Sequence, residues 1–206
     1  MSPRRRDTEA TPPREGRRAE LLATAAEVFA AQGYAATTIR QVADAAGILG
    51  GSLYYHFDSK EAMADEILST FLGDMWAAYD RVLGAGLGAR ETLEAIVAES
   101  FRCIDRHRPA VVLYQNESKH LATGERFRYL LDSHRRFEEM WTSLLERGVA
   151  EGVFRADLDV GLVYRFVRDT VWVAANWYRP GGRLSADDIA KQYLAMVLEG
   201  IQRGSG

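Results

Sequence analysis

Apolar residues recur every three or four positions along most of the chain, the spacing that places them on one face of an α-helix. The first such run extends from Leu21 to Phe29, and Gly33 ends it, as a glycine just beyond a helix commonly does. A longer run starts at Met63 and repeats an apolar residue every four positions as far as Tyr79. The pattern therefore predicts helices from near the beginning of the chain.

Nine helices are predicted in total, three short ones followed by six longer ones, and no segment alternates in the way a strand does. Breaks are expected at Pro109, because proline removes a backbone hydrogen bond, and at later clusters of glycine and proline. The later helices are predicted at about 90–106, 109–122, 126–151, 159–178 and 186–202. The chain is accordingly predicted to be all-α.

The three short helices are predicted to form a helix-turn-helix unit, since a tight turn at Gly47 joins the second to the third. Capping residues support these boundaries. Thr37 or Thr38 is expected to cap the second helix, and Asp58 or Ser59 the helix that follows the unit.

The stretch "GILGGSLYYHF" has one inward and one outward side. Leu53 and Phe57 lie four apart and face inward, so Gly51 and Tyr55 point nearly the opposite way. Small residues and hydroxyls on the outer side suit close approach to a DNA groove. Lys60 supports this interpretation. A cation in the first turn of a helix interacts unfavourably with the helix dipole, and a nearby phosphate would offset that cost. A capping turn with a solvated lysine remains the alternative.

Composition narrows the class of protein without deciding its function. The chain has 47% hydrophobic and 27% charged residues, which is typical of a globular protein. Its one cysteine excludes an internal disulfide, and it contains neither an apolar run long enough to cross a membrane nor a secretion signal. A cytoplasmic location is therefore expected.

The net charge of −3 is unevenly distributed along the chain. That sum argues against a nucleic-acid binder, but residues 1–18 hold six arginines against three acidic residues. Residues 1–16 are rich in Pro, Arg and Glu and are predicted to be a disordered basic arm. Both an arm that contacts DNA and a solvated tail fit this composition.

The segments "TTIRQVADAAGI" and "SLYYHFDSKEAM" resemble the DNA-binding domain of the tetracycline-repressor (TetR) family over residues 17–63. The resemblance implies an all-helical homodimer, a palindromic double-stranded DNA operator, and a C-terminal domain whose small effector releases the DNA. It divides the chain into the arm at 1–16, a helix-turn-helix domain at 17–62 and an effector-binding and dimerisation domain at 63–206. It places DNA contacts at Thr38, Arg40, Gly50, Gly51, Ser52, Tyr54, Tyr55, His56 and Lys60, with Gly50 to Ser52 nearest the bases.

The chain departs from the common family pattern at two positions of the recognition helix. Leu49 stands where Ser or Thr usually caps that helix, and Gly50 replaces Lys, Arg or Pro. The helix start thus loses a cap worth about 1 kcal/mol. The reading surface also lacks a long basic side chain.

The C-terminal segment "VYRFVRDTVWVAANWYRPGG" places two arginines beside aromatic residues. Arg165, Arg168 and Trp172 share one helix face, and Arg168 is positioned to stack on Trp172. This pattern suits a ligand with both an anionic group and a bulky hydrocarbon body. The alternative is an ion pair between Arg165 and Asp169 on a dimer surface, beside a buried tryptophan.

This segment, together with "AGILGGSLYYHF", "YQNE" and "QYLAMVL", resembles one subgroup of the family, the actinobacterial repressors of late steroid (cholesterol) ring catabolism. That resemblance implies an effector that is a coenzyme A thioester of the steroid C/D-ring remnant. It also implies that the last two helices pair with those of the dimer mate. The expected ligand contacts are Arg168 and Trp172 first, then Arg165, Phe71, Phe101 and Tyr114.

An enzyme acting on an acyl-CoA is the competing class. The four histidines and the cysteine show no spacing typical of a catalytic triad, and no glycine-rich phosphate motif follows a strand. The protein is therefore expected to have no catalytic residues, no metal and no cofactor.

Overall fold

The computed structural model describes residues 14–201. The helices are α1 (Arg14–Gln32), α2 (Ile39–Ala45), α3 (Gly50–Leu53), α4 (Lys60–Leu83), α5 (Ala89–Leu121), α6 (Tyr129–Ala150), α7 (Val160–Trp172), α8 (Ala174–Trp177) and α9 (Ala186–Ile201), with a 3₁₀ turn at Glu125–Phe127. Residues 14–201 contain no β-strand, and no helix among them is long and apolar enough to cross a membrane. The predicted all-α fold is confirmed for these residues.

The predicted basic arm lies mostly outside the described residues. Its last three residues, 14–16, form the start of α1, which therefore begins three residues before the predicted position. Residues 1–13 lie outside the part of the chain that the structure describes.

Capping residues fix where α2 and α4 begin. Thr38, rather than Thr37, caps α2 in a capping box, in which its hydroxyl accepts from the Gln41 backbone and the Gln41 side chain accepts from the Thr38 backbone. Ser59, rather than Asp58, caps α4 by accepting from the backbone of Ala62. Of the two candidate caps predicted for each helix, the structure thus identifies one.

The break predicted before Pro109 is present as a kink within α5. The backbone of His107 is non-helical (φ −124°, ψ 27°), so Ala89–Leu121 consists of two helical segments joined at that residue. The kink accommodates the proline ring, which would otherwise clash with the preceding turn. The helix predicted at 159–178 differs from the structure, because it is split at Val173 into α7 and the short α8.

α5 is the central element of the fold. It packs against α4, and also against α1, α6, α7, α8 and α9. The shared core contains buried side chains from every one of these helices, including Phe29, Phe71, Ile96, Trp141 and Val171. Because α1 packs on the same helix that lines the rest of the core, the helix-turn-helix unit is joined directly to the C-terminal helices.

Candidate DNA-binding surface and ligand cavity

The helix-turn-helix is held together by apolar side chains on its inner side. Ala43 is fully buried where α2 meets the turn, and its carbonyl accepts a hydrogen bond from the backbone of Ile48 at 3.0 Å. Gly47 takes φ +67°, a conformation that favours glycine. Leu53 and Phe57 are both buried, as their spacing predicts. The opposite side of α3 therefore faces solvent.

That outer side exposes large apolar and aromatic residues. The side chain of Tyr55 is 89% exposed and Tyr54 is 59% exposed. Gly51 is exposed, while Ser52 and His56 are partly buried beside them. Exposed aromatic residues with hydroxyl groups at one edge of a helix-turn-helix are suited to contacts with phosphate and sugar groups.

Thr38 and Arg40 flank this surface at the start of α2. The hydroxyl of Thr38 is engaged in the capping box, at 3.3 Å from the Gln41 backbone nitrogen and 2.9 Å from the Gln41 side chain. Arg40 extends into solvent and is only 3.9 Å from the Asp44 carboxylate, a contact too exposed to hold it in place. Arg40 is therefore free to turn toward a phosphate.

Lys60 has an internal role that the sequence pattern did not predict. Its ammonium donates hydrogen bonds to the carbonyls of Tyr34 and Thr37, each at 2.9 Å, and lies 4.3 Å from the centre of the Tyr34 ring. These contacts join the start of α4 to the turn that precedes α2. The hydrogen bonds offset the cost of a cation at this helix start.

A cavity of about 400 Å³ lies between α4, α5, α6 and α7. Its apolar wall is built from aromatic rings, in which Phe71 meets Trp172 with ring centres 6.1 Å apart and Tyr114 with ring centres 5.7 Å apart. Phe137 meets Trp172 from the other side at 6.0 Å. The full lining is Phe71, Leu72, Met75, Tyr114, Gln115, Asn116, Ser118, Lys119, His134, Phe137, Tyr164, Arg168, Asp169, Trp172 and Val173.

Positive groups surround one side of the cavity. Arg168 donates to the Asp169 carboxylate at 2.7 Å and lies 5.3 Å from the centre of the Tyr164 ring. Burial lowers the pKa of His134, and the charges of Arg168 and Lys119 lower it further, against a backbone hydrogen bond to Leu130 that raises it. The cavity thus combines an aromatic wall with two cations and with a histidine whose burial favours the neutral form.

The structure brings together four of the six expected ligand residues. Arg168, Trp172, Phe71 and Tyr114 line the cavity. Arg168 approaches the ring of Tyr164 rather than the expected Trp172, because its guanidinium is held by Asp169.

Phe101 and Arg165 do not line this cavity, which corrects their expected positions. Phe101 is buried on another side of α5, where its ring meets Tyr193 of α9 at 5.7 Å. Arg165 is exposed on the outer side of α7, and Asp169 pairs with Arg168 instead. The spacing from Arg165 to Trp172 placed these residues on one face, but only the end nearer Trp172 turns inward.

Several lining residues were missed by sequence reasoning. Lys119 and His134 come from α5 and α6, and neither stands in a motif. Their approach to Arg168 depends on how the helices pack, so sequence spacing carries no signal for it.

Polar side chains connect α4 to α6 beside the cavity. The indole of Trp76 donates to the Ser133 hydroxyl at 3.0 Å, and the guanidinium of Arg136 lies 3.9 Å from the centre of the Trp76 ring. Arg136 also pairs with Asp80 of α4. A displacement of α4 therefore has to change these contacts.

Apolar side chains are also exposed on the last helices, and one of them, Val173, lines the cavity as well. We call these side chains together the α7–α9 surface, and its exposed members are Leu162, Phe166, Val173, Trp177 and Met196. Phe166 is 61% exposed. Several exposed apolar side chains on neighbouring helices are typical of a contact surface between proteins.

Known protein families match both the helix-turn-helix part and the C-terminal part of the chain. A model of "bacterial regulatory proteins, tetR family" matches residues 21–67, and a model of the "tetracyclin repressor-like, C-terminal domain" matches residues 86–201. The chain is 54% identical to the HTH-type transcriptional repressor KstR2 of Rhodococcus jostii over 91% of its length and 92% of that protein. It is 49% identical to KstR2 of Mycobacterium tuberculosis over 91% of its length and 94% of that protein.

A solved structure supports the same relationship. The ketosteroid transcriptional regulator KstR2 of Mycobacterium tuberculosis superposes with a TM-score of 0.88 at 47% identity, covering 97% of this chain and 100% of that one. These relatives are transcriptional repressors and not enzymes. The chain therefore belongs to the TetR family, and it is a DNA-binding transcriptional repressor whose helix-turn-helix is formed by α2 and α3.

Proposed function

We propose that the repressor is released from its operator by a coenzyme A thioester of a steroid-ring degradation intermediate. The observation that carries the proposal is the cavity, in which an aromatic wall ends at Arg168, Lys119 and His134. Its volume of about 400 Å³ lies within the usual range for small-molecule sites, about 300–1,000 Å³. The aromatic wall suits a fused-ring hydrocarbon body, and the two cations suit the anionic remainder of the ligand.

The names of the relatives support the steroid part of this proposal. The superposed KstR2 structure is described as a ketosteroid transcriptional regulator. The residues that match the steroid-regulator resemblance, Arg168 and Trp172, both line the cavity. Another acyl-CoA or hydrophobic ligand is the second candidate, because rings such as Phe71 and Phe137 accept any apolar body.

α4 provides the connection between the cavity and the DNA-binding surface. It lines the cavity with Phe71, Leu72 and Met75. It begins at Lys60, whose ammonium group donates hydrogen bonds to two backbone carbonyls of the turn before α2. Phe71 follows Lys60 by eleven positions, or about 16 Å along a helix. A ligand that displaces the middle of α4 therefore moves the anchor of the helix-turn-helix.

This mechanism of release also requires a dimer, in which each chain contributes one recognition helix. We propose that two chains pair through the α7–α9 surface and bind a palindromic operator. Two helix-turn-helix units then face successive major grooves, about 34–36 Å apart. An effector releases the DNA by favouring a different separation, and only a ligand with unequal affinity for the two forms does so.

The proposal is tested by thermal unfolding of the protein with candidate ligands. The coenzyme A thioester of a bicyclic steroid C/D-ring carboxylic acid is expected to raise Tm by several degrees, because a ligand at 100 times its Kd stabilises by about 2.7 kcal/mol. Coenzyme A alone and the free acid serve as controls and are expected to raise Tm less. An equal or larger shift with a long-chain fatty acyl-CoA would favour the second candidate.

A further inference from the structure

Three consecutive residues at the start of α3 weaken the helix to which they belong. Leu49 occupies the N-cap position without any side-chain hydrogen bond to the helix. Gly50 and Gly51 form half of the four-residue α3, and glycine is less favourable than alanine inside a helix. A Ser or Asp at the cap and alanines at the next two positions would all stabilise this segment.

The fold itself gives no reason for these residues. Gly50 and Gly51 have no positive φ, in contrast to Gly47. A Cβ atom added to either of them meets no other heavy atom within 4 Å. The side chain of Leu49 is 81% exposed and so adds little to the core. Residues that disagree with local stability and lack a structural cause are typical of functional sites.

The partner that faces this segment is DNA. The helix-turn-helix presents α3 outward, because Leu53 and Phe57 are buried on its other side. Between Leu49 and Gly51 no side chain carries a hydrogen-bonding group. Among the groups on base edges in the major groove, the C5 methyl of thymine offers the largest apolar contact.

We infer that Leu49, Gly50 and Gly51 form an apolar reading surface that selects thymine through its methyl group. The Leu49 side chain packs against the methyl, and the two glycines let the backbone approach the base edge without an intervening side chain. Sequence is thus read at this point by van der Waals contact, while nearby groups such as Tyr55 and Arg40 contact phosphates. The inference rests on the DNA-binding role of α3 and specifies what that helix reads.

The experiment removes single methyl groups from the DNA. Duplexes are enriched from a random pool with the full-length protein, and each thymine of the enriched site is replaced in turn by deoxyuridine, which lacks only the methyl. At one or more positions in each half-site, wild-type affinity is expected to fall about fourfold, the effect of one buried methyl group. In Leu49→Ala the same substitution is expected to change affinity less than twofold.

Matched variants separate this reading role from general damage. Leu83→Ala, at an exposed leucine at the end of α4, is expected to keep the wild-type response to deoxyuridine. Gly51→Ala is expected to weaken operator binding without lowering Tm. Gly73→Ala, at an exposed glycine in α4 that also has no neighbour within 4 Å, is expected to leave operator binding unchanged.

Two results would overturn the inference alone. One is an operator whose affinity is insensitive to deoxyuridine at every thymine, and the other is a Leu49→Ala protein that keeps the wild-type sensitivity. Failure to enrich any duplex would contradict the DNA-binding role itself, and the reading surface with it. The proposed effector plays no part in these measurements, so its identity does not affect them.

Discussion

Replacing Arg168 with methionine is expected to raise the effector concentration needed for operator release about tenfold or more. Arg168 lines the cavity and is partly exposed, with a single carboxylate partner in Asp169. Methionine keeps much of the hydrocarbon stem but removes the charge. A hydrogen bond to a charged group contributes about 1.5–3 kcal/mol, and 1.4 kcal/mol corresponds to a tenfold change in affinity. Titration of the effector against labelled operator, followed by fluorescence anisotropy, measures the change.

Arg165→Met is the matched control for this prediction. Arg165 lies on the same helix, three positions earlier, but is exposed outside the cavity. It is expected to need the wild-type effector concentration for release, and sedimentation velocity checks that its dimer is intact, because Arg165 lies beside Phe166 on the outer side of α7. Normal release by Arg168→Met would remove Arg168 from the effector site, and an equal defect in both variants would point to the general charge of α7 instead.

Replacing Phe166 with aspartate is expected to convert the protein to a monomer and to weaken operator binding at least about a hundredfold. Phe166 is a strongly exposed member of the α7–α9 surface. A carboxylate there cannot be buried in an apolar interface without a large desolvation cost. A single helix-turn-helix loses the gain of about 10²–10⁴ that comes from linking two binding units. Sedimentation velocity measures the mass, and anisotropy measures the operator affinity.

Leu83→Asp provides the control for a new surface charge. Like Phe166, Leu83 is an exposed apolar residue, and it is 41% exposed. It lies at the end of α4, outside the α7–α9 surface. That variant is expected to retain the wild-type mass. A Phe166→Asp protein that sediments as a dimer would place the dimer contact on another surface of the molecule.

The helix-turn-helix was largely predictable because its determinants are local. The buried pair Leu53 and Phe57, the turn at Gly47 and the Thr38 cap all act within a few residues of one another. Apolar spacing and capping chemistry are sufficient for such elements. Lys60 was the exception, since its carbonyl partners at Tyr34 and Thr37 lie more than twenty residues away.

The cavity was only partly predictable because four helices build it. Helix spacing correctly placed Arg168 and Trp172 near each other, but it also included Arg165, which the rotation of α7 turns toward solvent. Lys119 and His134 reach the cavity through the packing of α5 and α6.

The helix boundaries divide in the same way. The kink before Pro109 was predictable, because a proline acts on the turn that directly precedes it. The split at Val173 between α7 and α8 was missed, because no glycine or proline stands there to signal it.

The most direct test of ligand-released repression is operator binding measured with and without the proposed effector. Labelled operator duplex and full-length protein are mixed at a concentration that gives nearly complete binding, and the coenzyme A thioester of the bicyclic steroid C/D-ring acid is then added. With the thioester the anisotropy is expected to fall to that of free DNA, whereas equal concentrations of coenzyme A or of the free acid are expected to leave it unchanged. Ligand-released repression would be wrong if the anisotropy stayed high at saturating thioester in a protein whose Tm the thioester raises.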